Sequence, residues 1–121
     1  MKRLICCALL LASPVGAQEF LRIEGAGRVM RVPATDVQAV VPSGYADAPA
    51  IRVQLDPAHD AAFAELTAHA VGAEMVILVC GREVSRPRLI EPMSRADFML
   101  ALPPDPPAAR RILAQLQAKS C

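Results

Sequence analysis

The sequence predicts an α+β domain: a two-layer sandwich with a mixed or antiparallel sheet of about four to six strands and two helices on one face. Three observations carry this. Short runs of alternating or β-branched apolar residues recur along the chain, as in AIRVQL (50–55) and MVILV (75–79). Two longer segments with three-and-four apolar spacing each open on Asp-Pro, at Asp56-Pro57 and Asp105-Pro106. Gly, Pro and polar clusters punctuate the intervals, so the runs are separate short elements.

In chain order, Phe20, Leu21 and Ile23 lead into Gly25-Ala26-Gly27 and then Val29 and Val32, which predicts two strands joined by a Gly-rich turn. A phosphate-cradling loop would need a third Gly and a following helix, and neither is there. Thr35 and Asp36 can open one turn before a third strand at 37–41. Pro42-Ser43-Gly44 and Asp47-Ala48-Pro49 then predict a polar loop holding Tyr45, read as a cap on the core rather than a ligand contact. The alternation in residues 50–55 is that of a half-buried strand. The first helix places Ala62, Phe63, Leu66, Ala70 and Val71 on one face and ends at Gly72 in a left-handed conformation. Met75 to Val79 lacks polar alternation, which suits an interior strand covered on both sides or strongly buried on one. With residues 50–55 and the helix, it makes a strand–helix–strand unit.

Gly81-Arg82 predicts a hairpin into a strand at 83–90, and Pro87 and Pro92, which cannot donate ladder hydrogen bonds, push that strand to the sheet edge or split it with a bulge. A last strand at 97–102 ends at Pro103-Pro104. The second helix then runs to about Lys119, with Ala109, Ile112, Leu113 and Leu116 on its apolar face.

The compartment is read from the first residues. Lys2 and Arg3 precede a nine-residue apolar run, LICCALLLA, and Val15-Gly16-Ala17 presents the small residues of a cleavage site after Ala17. Nine residues fall short of the roughly 20 a membrane span needs. A lipoprotein leader would place its cysteine after the apolar run, whereas Cys6 and Cys7 sit near its start. The expected mature chain is therefore periplasmic or secreted, 104 residues from Gln18, and without a transmembrane segment. Its organisation is a strand pair at 18–34 continuous with an α+β domain at 35–121. Losing Lys2 and Arg3 takes the formal charge from +1 to −1, which argues against nucleic-acid or anionic-membrane partners.

Two cysteines survive processing, Cys80 and Cys121, and an even count in an oxidising compartment favours a bridge. Geometry argues the other way. If the strands after Cys80 form a simple meander, the last helix, about 20 Å long, returns to the opposite end of the sheet. An intermolecular bridge through Cys121 is the runner-up.

No catalytic constellation is present, and no cofactor is expected. His59 and His69 lie about 80° apart around one helix. Glu65 shares a face with His69, but a metal site needs three or four converging ligands, so a solvated helix face accounts for them better. No Ser sits in a G-x-S-x-G turn, and Cys80 has no C-x-x-C partner.

The TAHAVG helix end (67–72), with the strand and Pro-punctuated strand that follow it, carries a resemblance. Thr67 and Gly72 end a helix; MVILV, Gly81, Val84, Ser85, Pro87, Ile90, Pro92 and Met93 follow at set spacing. This pattern resembles the head subdomain of the large periplasmic domain of SecD and SecDF, membrane proteins that assist preprotein export. It covers roughly residues 35–118. Ser94-Arg95-Ala96-Asp97 stands where that family has a Gly-rich turn, and the transmembrane helices of the family are missing. The resemblance implies a free-standing, non-enzymatic export module.

Arg86 and Arg88 flank Pro87 on one face of an edge strand, an edge that could take an extended or unfolded polypeptide by strand addition. The plainer reading is that they blunt the edge against aggregation. A structural subunit of an envelope membrane complex is the alternative, and a small periplasmic enzyme a more distant one.

Overall fold

The computed structural model describes residues 19–45 and 48–121. The expected leader and cleavage site after Ala17, and the side chain of Tyr45, lie outside the described residues. Among the described residues, seven strands and two α-helices form an α+β arrangement: β1 (Leu21–Gly25), β2 (Arg28–Val32), β3 (Val37–Tyr45), β4 (Ala48–Leu55), α1 (Asp60–Ala70), β5 (Val76–Val79), β6 (Arg82–Ser85), β7 (Asp97–Ala101) and α2 (Pro106–Ala118). All pairings are antiparallel, in two sheets of order β2-β1-β5-β6 and β3-β4-β7.

The division into two sheets is the main departure from a single layer. β4 and β5, the strands flanking α1, belong to different sheets, so the strand–helix–strand segment crosses between them. β7 likewise leaves β6 and pairs with β4, Ile51 opposite Leu100 and Val53 opposite Phe98. One apolar core joins both sheets and both helices. The row Met30, Ile23, Ile77 faces it from one sheet. From the other, Phe98 stacks on Phe63 of α1 with ring centroids 5.6 Å apart. An aromatic pair at that distance adds about 0.5–1.5 kcal/mol beyond its area.

Both Asp-Pro openings act as the sequence predicts. Asp56 accepts from the Ala58 amide at 2.9 Å, ahead of a 3₁₀ turn that runs into α1, and Asp105 accepts from Ala108 N at 3.3 Å at the start of α2. Gly72 follows α1 with φ +87°. The buried face of α1 differs by a small rotation: Phe63, Leu66, Thr67 and Ala70 are buried, while Ala62 and Val71 are exposed. Met75, Ile77 and Val79 are buried and Val76 and Leu78 only partly, so β5 is an interior strand buried strongly on one face.

The expected polar loop at 42–49 is a correction. Strands continue through it, with Pro42 opposite Ile51 and Tyr45 opposite Ala48, leaving only residues 46–47 between them. Pro42 is tolerated because β3 is an edge strand. Gly44 has φ +85°, and a Cβ there would lie 2.6 Å from the Ala48 oxygen, so glycine is required for this close pairing. The strand expected at 83–90 is also shorter: β6 ends at Ser85 on the edge of its sheet, after a register shift opposite Ile77 and Leu78. Cys80 and Gly81, with φ +53° and +82°, are the two residues of its hairpin turn.

The cysteines form an intramolecular disulfide, Cys80 to Cys121, with Cα atoms 5.5 Å apart. The meander that would have separated them does not form, because β7 changes sheet and α2 then runs back toward the β5–β6 turn.

Candidate functional site

Residues 86–96 connect β6 to β7 without regular structure, yet they are fastened closely to α1 and the turn after it. Gly72 N donates to Leu89 O at 2.8 Å, Leu89 N to Ala73 O at 2.9 Å, and Met75 N to Pro87 O at 2.8 Å. A single bridge pairs Glu74 with Arg88. Two side chains of α1 complete the fastening. Asp60 Oδ1 accepts from Ala96 N at 2.8 Å. Thr67, fully buried, accepts from Met93 N at 3.0 Å, and its hydroxyl proton faces the carbonyls of Ala64 at 3.1 Å and Met93 at 3.2 Å. A hydroxyl can donate once and accept, which is what this position uses.

Two anchors therefore hold the loop between them, and the loop turns Ile90 outward. Ile90 is 84% exposed while its neighbour Leu89 is 8% exposed. Residues 88–95 with Asp97 line an open groove of about 550 Å³. Ile90 is thus a single exposed apolar side chain on a braced backbone, bordering that groove.

The arginines singled out from the sequence sit at one end of this segment, and each is already engaged. Arg86 makes a fork with Glu83, 3.0 Å from Nε and 2.6 Å from Nη2, and lies 3.6 Å from Glu74. The hydrogen bond from Arg86 holds the Glu83 carboxyl below its ordinary range, and Glu83 in turn raises the guanidinium. Arg88 Nη1 donates to Gly72 O at 2.6 Å, supplying a partner for a carbonyl just past the end of α1. Pro87 lies between them, its carbonyl paired with Met75. The charge of Arg86 is thus answered by two carboxylates, while Arg88 is held by a backbone carbonyl.

The histidines weighed as ligands are apart. His59 Nε2 is 2.8 Å from Asp36 Oδ2, and His69 contacts Arg28 and the Glu65 carbonyl. Among the described residues, no three His, Cys, Asp or Glu side chains converge. Cys80 and Cys121 are joined at the far end of β5. Among the described residues, no helix is long and apolar enough to cross a membrane.

Sequence reasoning missed the roles of Thr67 and Asp60. A Thr between Leu66 and Ala70 on an apolar helix face was the available signal, since a buried hydroxyl needs a partner. Ile90 carried no such signal, because exposure is a property of the folded surface.

No family model matches the chain. No curated protein matches it either. Solved structures do. SecDF in a super-membrane-facing form matches with a TM-score of 0.56 at 15% identity, over 72% of this chain and 12% of the SecDF chain. SecDF described as a membrane component that enhances protein export matches with a TM-score of 0.58 at 17% identity, over 74% of this chain and 43% of the other. The chain thus has a SecDF-like domain fold and covers less than half of the length of each of these SecDF chains.

Proposed function

We propose that this chain is an exported, non-enzymatic accessory module of protein export, working in the periplasm after loss of its leader at Ala17. It is read as one mature domain from residue 18 that holds extended polypeptide on the braced segment 86–95. The observation that carries the reading is Ile90, 84% exposed beside an open groove on a backbone fixed at both ends. Its fold is that of a domain in SecDF, and one SecDF is described as enhancing protein export, which supports the export setting.

An extended ligand would bury its apolar side chains against Ile90 and Met93 and run along the edge that Arg86, Pro87 and Arg88 frame. Their engaged guanidinia keep that edge from pairing indiscriminately, so the two sequence readings, binding and blunting, meet in one surface.

The test is binding of fluorescently labelled unfolded peptides to the mature chain, followed by anisotropy. Covering a side chain of this size contributes about 1.5–3 kcal/mol, so Ile90→Asp should weaken binding by roughly 10- to 100-fold. Arg86→Glu/Arg88→Glu should also weaken it. Absence of binding, or affinity indifferent to both changes, defeats the peptide reading.

A second reading, assembly into an envelope complex, is favoured by the outer face of β3-β4-β7. There Val41 and Met99 are exposed on either side of Arg52, which is itself paired with Asp97. Co-purification from envelope extracts, lost on Val41→Asp/Met99→Asp, would separate it from a solitary module.

A further inference from the structure

The groove beside Ile90 continues past residue 95. Arg95 and Asp97 line it and also line an adjoining cleft of about 300 Å³, to which Gln38, Gln54 and Asp60 contribute. Gln38 reaches that cleft through a break in strand pairing. Val37 stands opposite Leu55 and Ala39 opposite Gln54, so Gln38 is the extra residue of a bulge in β3. A bulge bends its strand and re-aims a side chain, and bulges recur beside functional sites. The apolar groove thus passes, at Arg95, into a polar cleft that holds two carboxamides.

Most charges at this junction are answered from within the fold. Arg52 forks onto Asp97 at 2.8 and 2.5 Å, and the Gln54 amide nitrogen adds a third bond to that carboxylate at 3.2 Å. Asp60 accepts from Ala96 N and stands in the first turn of α1, where the helix N-terminus favours a carboxylate. Arg88 is turned to the Gly72 carbonyl. Arg95 is different: it is exposed and, among the described residues, makes no hydrogen bond or ion pair. Asp97, held low chiefly by the Arg52 hydrogen bond, feels Arg95 least and only through space. Glu91 is also without a partner among the described residues, but it lines the apolar groove and not the cleft. An anion therefore finds its one unanswered cation of this surface where groove and cleft meet.

We propose that the polypeptide held on segment 86–95 is one that carries a carboxylate close to an apolar side chain. The apolar side chain covers Ile90 and Met93, and the guanidinium of Arg95 receives the carboxylate, with the Gln38 amide beside it. This inference rests on the peptide reading above and adds to it the charge of the ligand. A guanidinium offers paired N–H donors that match the two oxygens of a carboxylate. Gln54 spends its amide nitrogen on Asp97, which leaves its oxygen to accept from a ligand N–H. An extended chain turns every second residue to one face, so an apolar and an acidic residue two positions apart present both groups to the same surface.

The experiment compares two labelled peptides by anisotropy on the mature chain. One carries leucine–serine–glutamate in a Gly-Ser frame, the other glutamine in place of the glutamate, and both are amidated so that no terminal carboxylate competes. The glutamate peptide should bind about five-fold tighter at about 0.1 M salt, the upper end for an exposed ion pair. The preference should fade near 1 M salt, where the Debye length is about 3 Å. In Arg95→Gln both peptides should bind alike, at the native affinity for the glutamine peptide. Arg95 makes no bond within the described fold, so this variant should fold as the native chain does, which circular dichroism checks. Equal binding of the two peptides to the native chain overturns the proposal while the peptide reading stands, and that comparison needs no variant. A preference that survives Arg95→Gln also overturns it, since the anion then sits elsewhere. If neither peptide binds, the peptide reading falls and this inference falls with it.

Discussion

Thr67→Val is the sharpest perturbation of the groove. Valine has nearly the volume of threonine and fits the same buried space, so the change removes a hydroxyl and leaves the packing of α1 intact. What is lost is the partner of Met93 N at 3.0 Å and one hydrogen bond shared between the carbonyls of Ala64 and Met93. Ala64 O keeps its place in the helix, and Met93, itself half-buried, can be partly rehydrated. Removing one partner of a buried hydrogen bond costs about 1–3 kcal/mol; partial rehydration places this case near 1.5 kcal/mol. For a domain of this size that is a fall in Tm of roughly 6–10 °C. Urea unfolding followed by circular dichroism measures the first quantity and a thermal scan the second. Hydrogen exchange locates the effect, with the Met93 amide losing protection in Thr67→Val and keeping it in Thr67→Ser. Unchanged stability together with unchanged Met93 protection would refute the idea that this hydroxyl fastens the loop.

Two further outcomes are expected. Replacing both Cys80 and Cys121 by Ser opens a loop of 41-residue separation, which the chain-entropy treatment values at about 4 kcal/mol; the unfolding free energy from urea denaturation should drop by that amount, and non-reducing mass analysis of the native chain should show two hydrogens fewer. The Asp97 carboxyl is held below its ordinary range, chiefly by the hydrogen bond from Arg52 and also by that from Gln54. A depressed folded value means its stabilisation is present above the unfolded value of about 3.9 and is lost as pH falls through the folded one. Asp97→Asn should thus be less stable than the native chain at pH 7, with the gap closing below about pH 4; a gap independent of pH would count against the ion pair.

Much of the local architecture was legible in the residues. Asp56-Pro57 and Asp105-Pro106 open helices because a capping carboxylate and a preset φ need nothing from the rest of the fold. Gly25-Ala26-Gly27 turns a hairpin because Gly27 takes positive φ without strain. The β5–β6 hairpin, expected at Gly81-Arg82, turns one residue earlier at Cys80-Gly81, where Cys80 also has positive φ. Pro87 kept β6 short and at an edge for an equally local reason. At 42–49 the local reading failed, since Pro42 and Pro49 are acceptable in strands once one lies on an edge and the other at a strand end.

The groove was less legible. The resemblance pointed to Thr67, Pro87, Ile90 and Met93, but their spacing could not say that Thr67 grips Met93 or that Ile90 faces water. Those facts depend on where residues 86–96 return against α1, a contact across 26 positions of sequence. The arginines show the same limit: spacing placed Arg86 and Arg88 beside Pro87, and only folding brought Glu74 and Gly72 O to them.

The residues by themselves determined the α+β class, the helix starts, the hairpin turns and an even pair of cysteines available for a bridge. Tertiary structure decided that the strands divide into two sheets, that β7 crosses to pair with β4, and so that Cys80 and Cys121 meet. Propensity, capping and turn chemistry act between neighbours in the chain. Sheet membership is set by which apolar faces can share one core, and that is a property of the whole assembled chain.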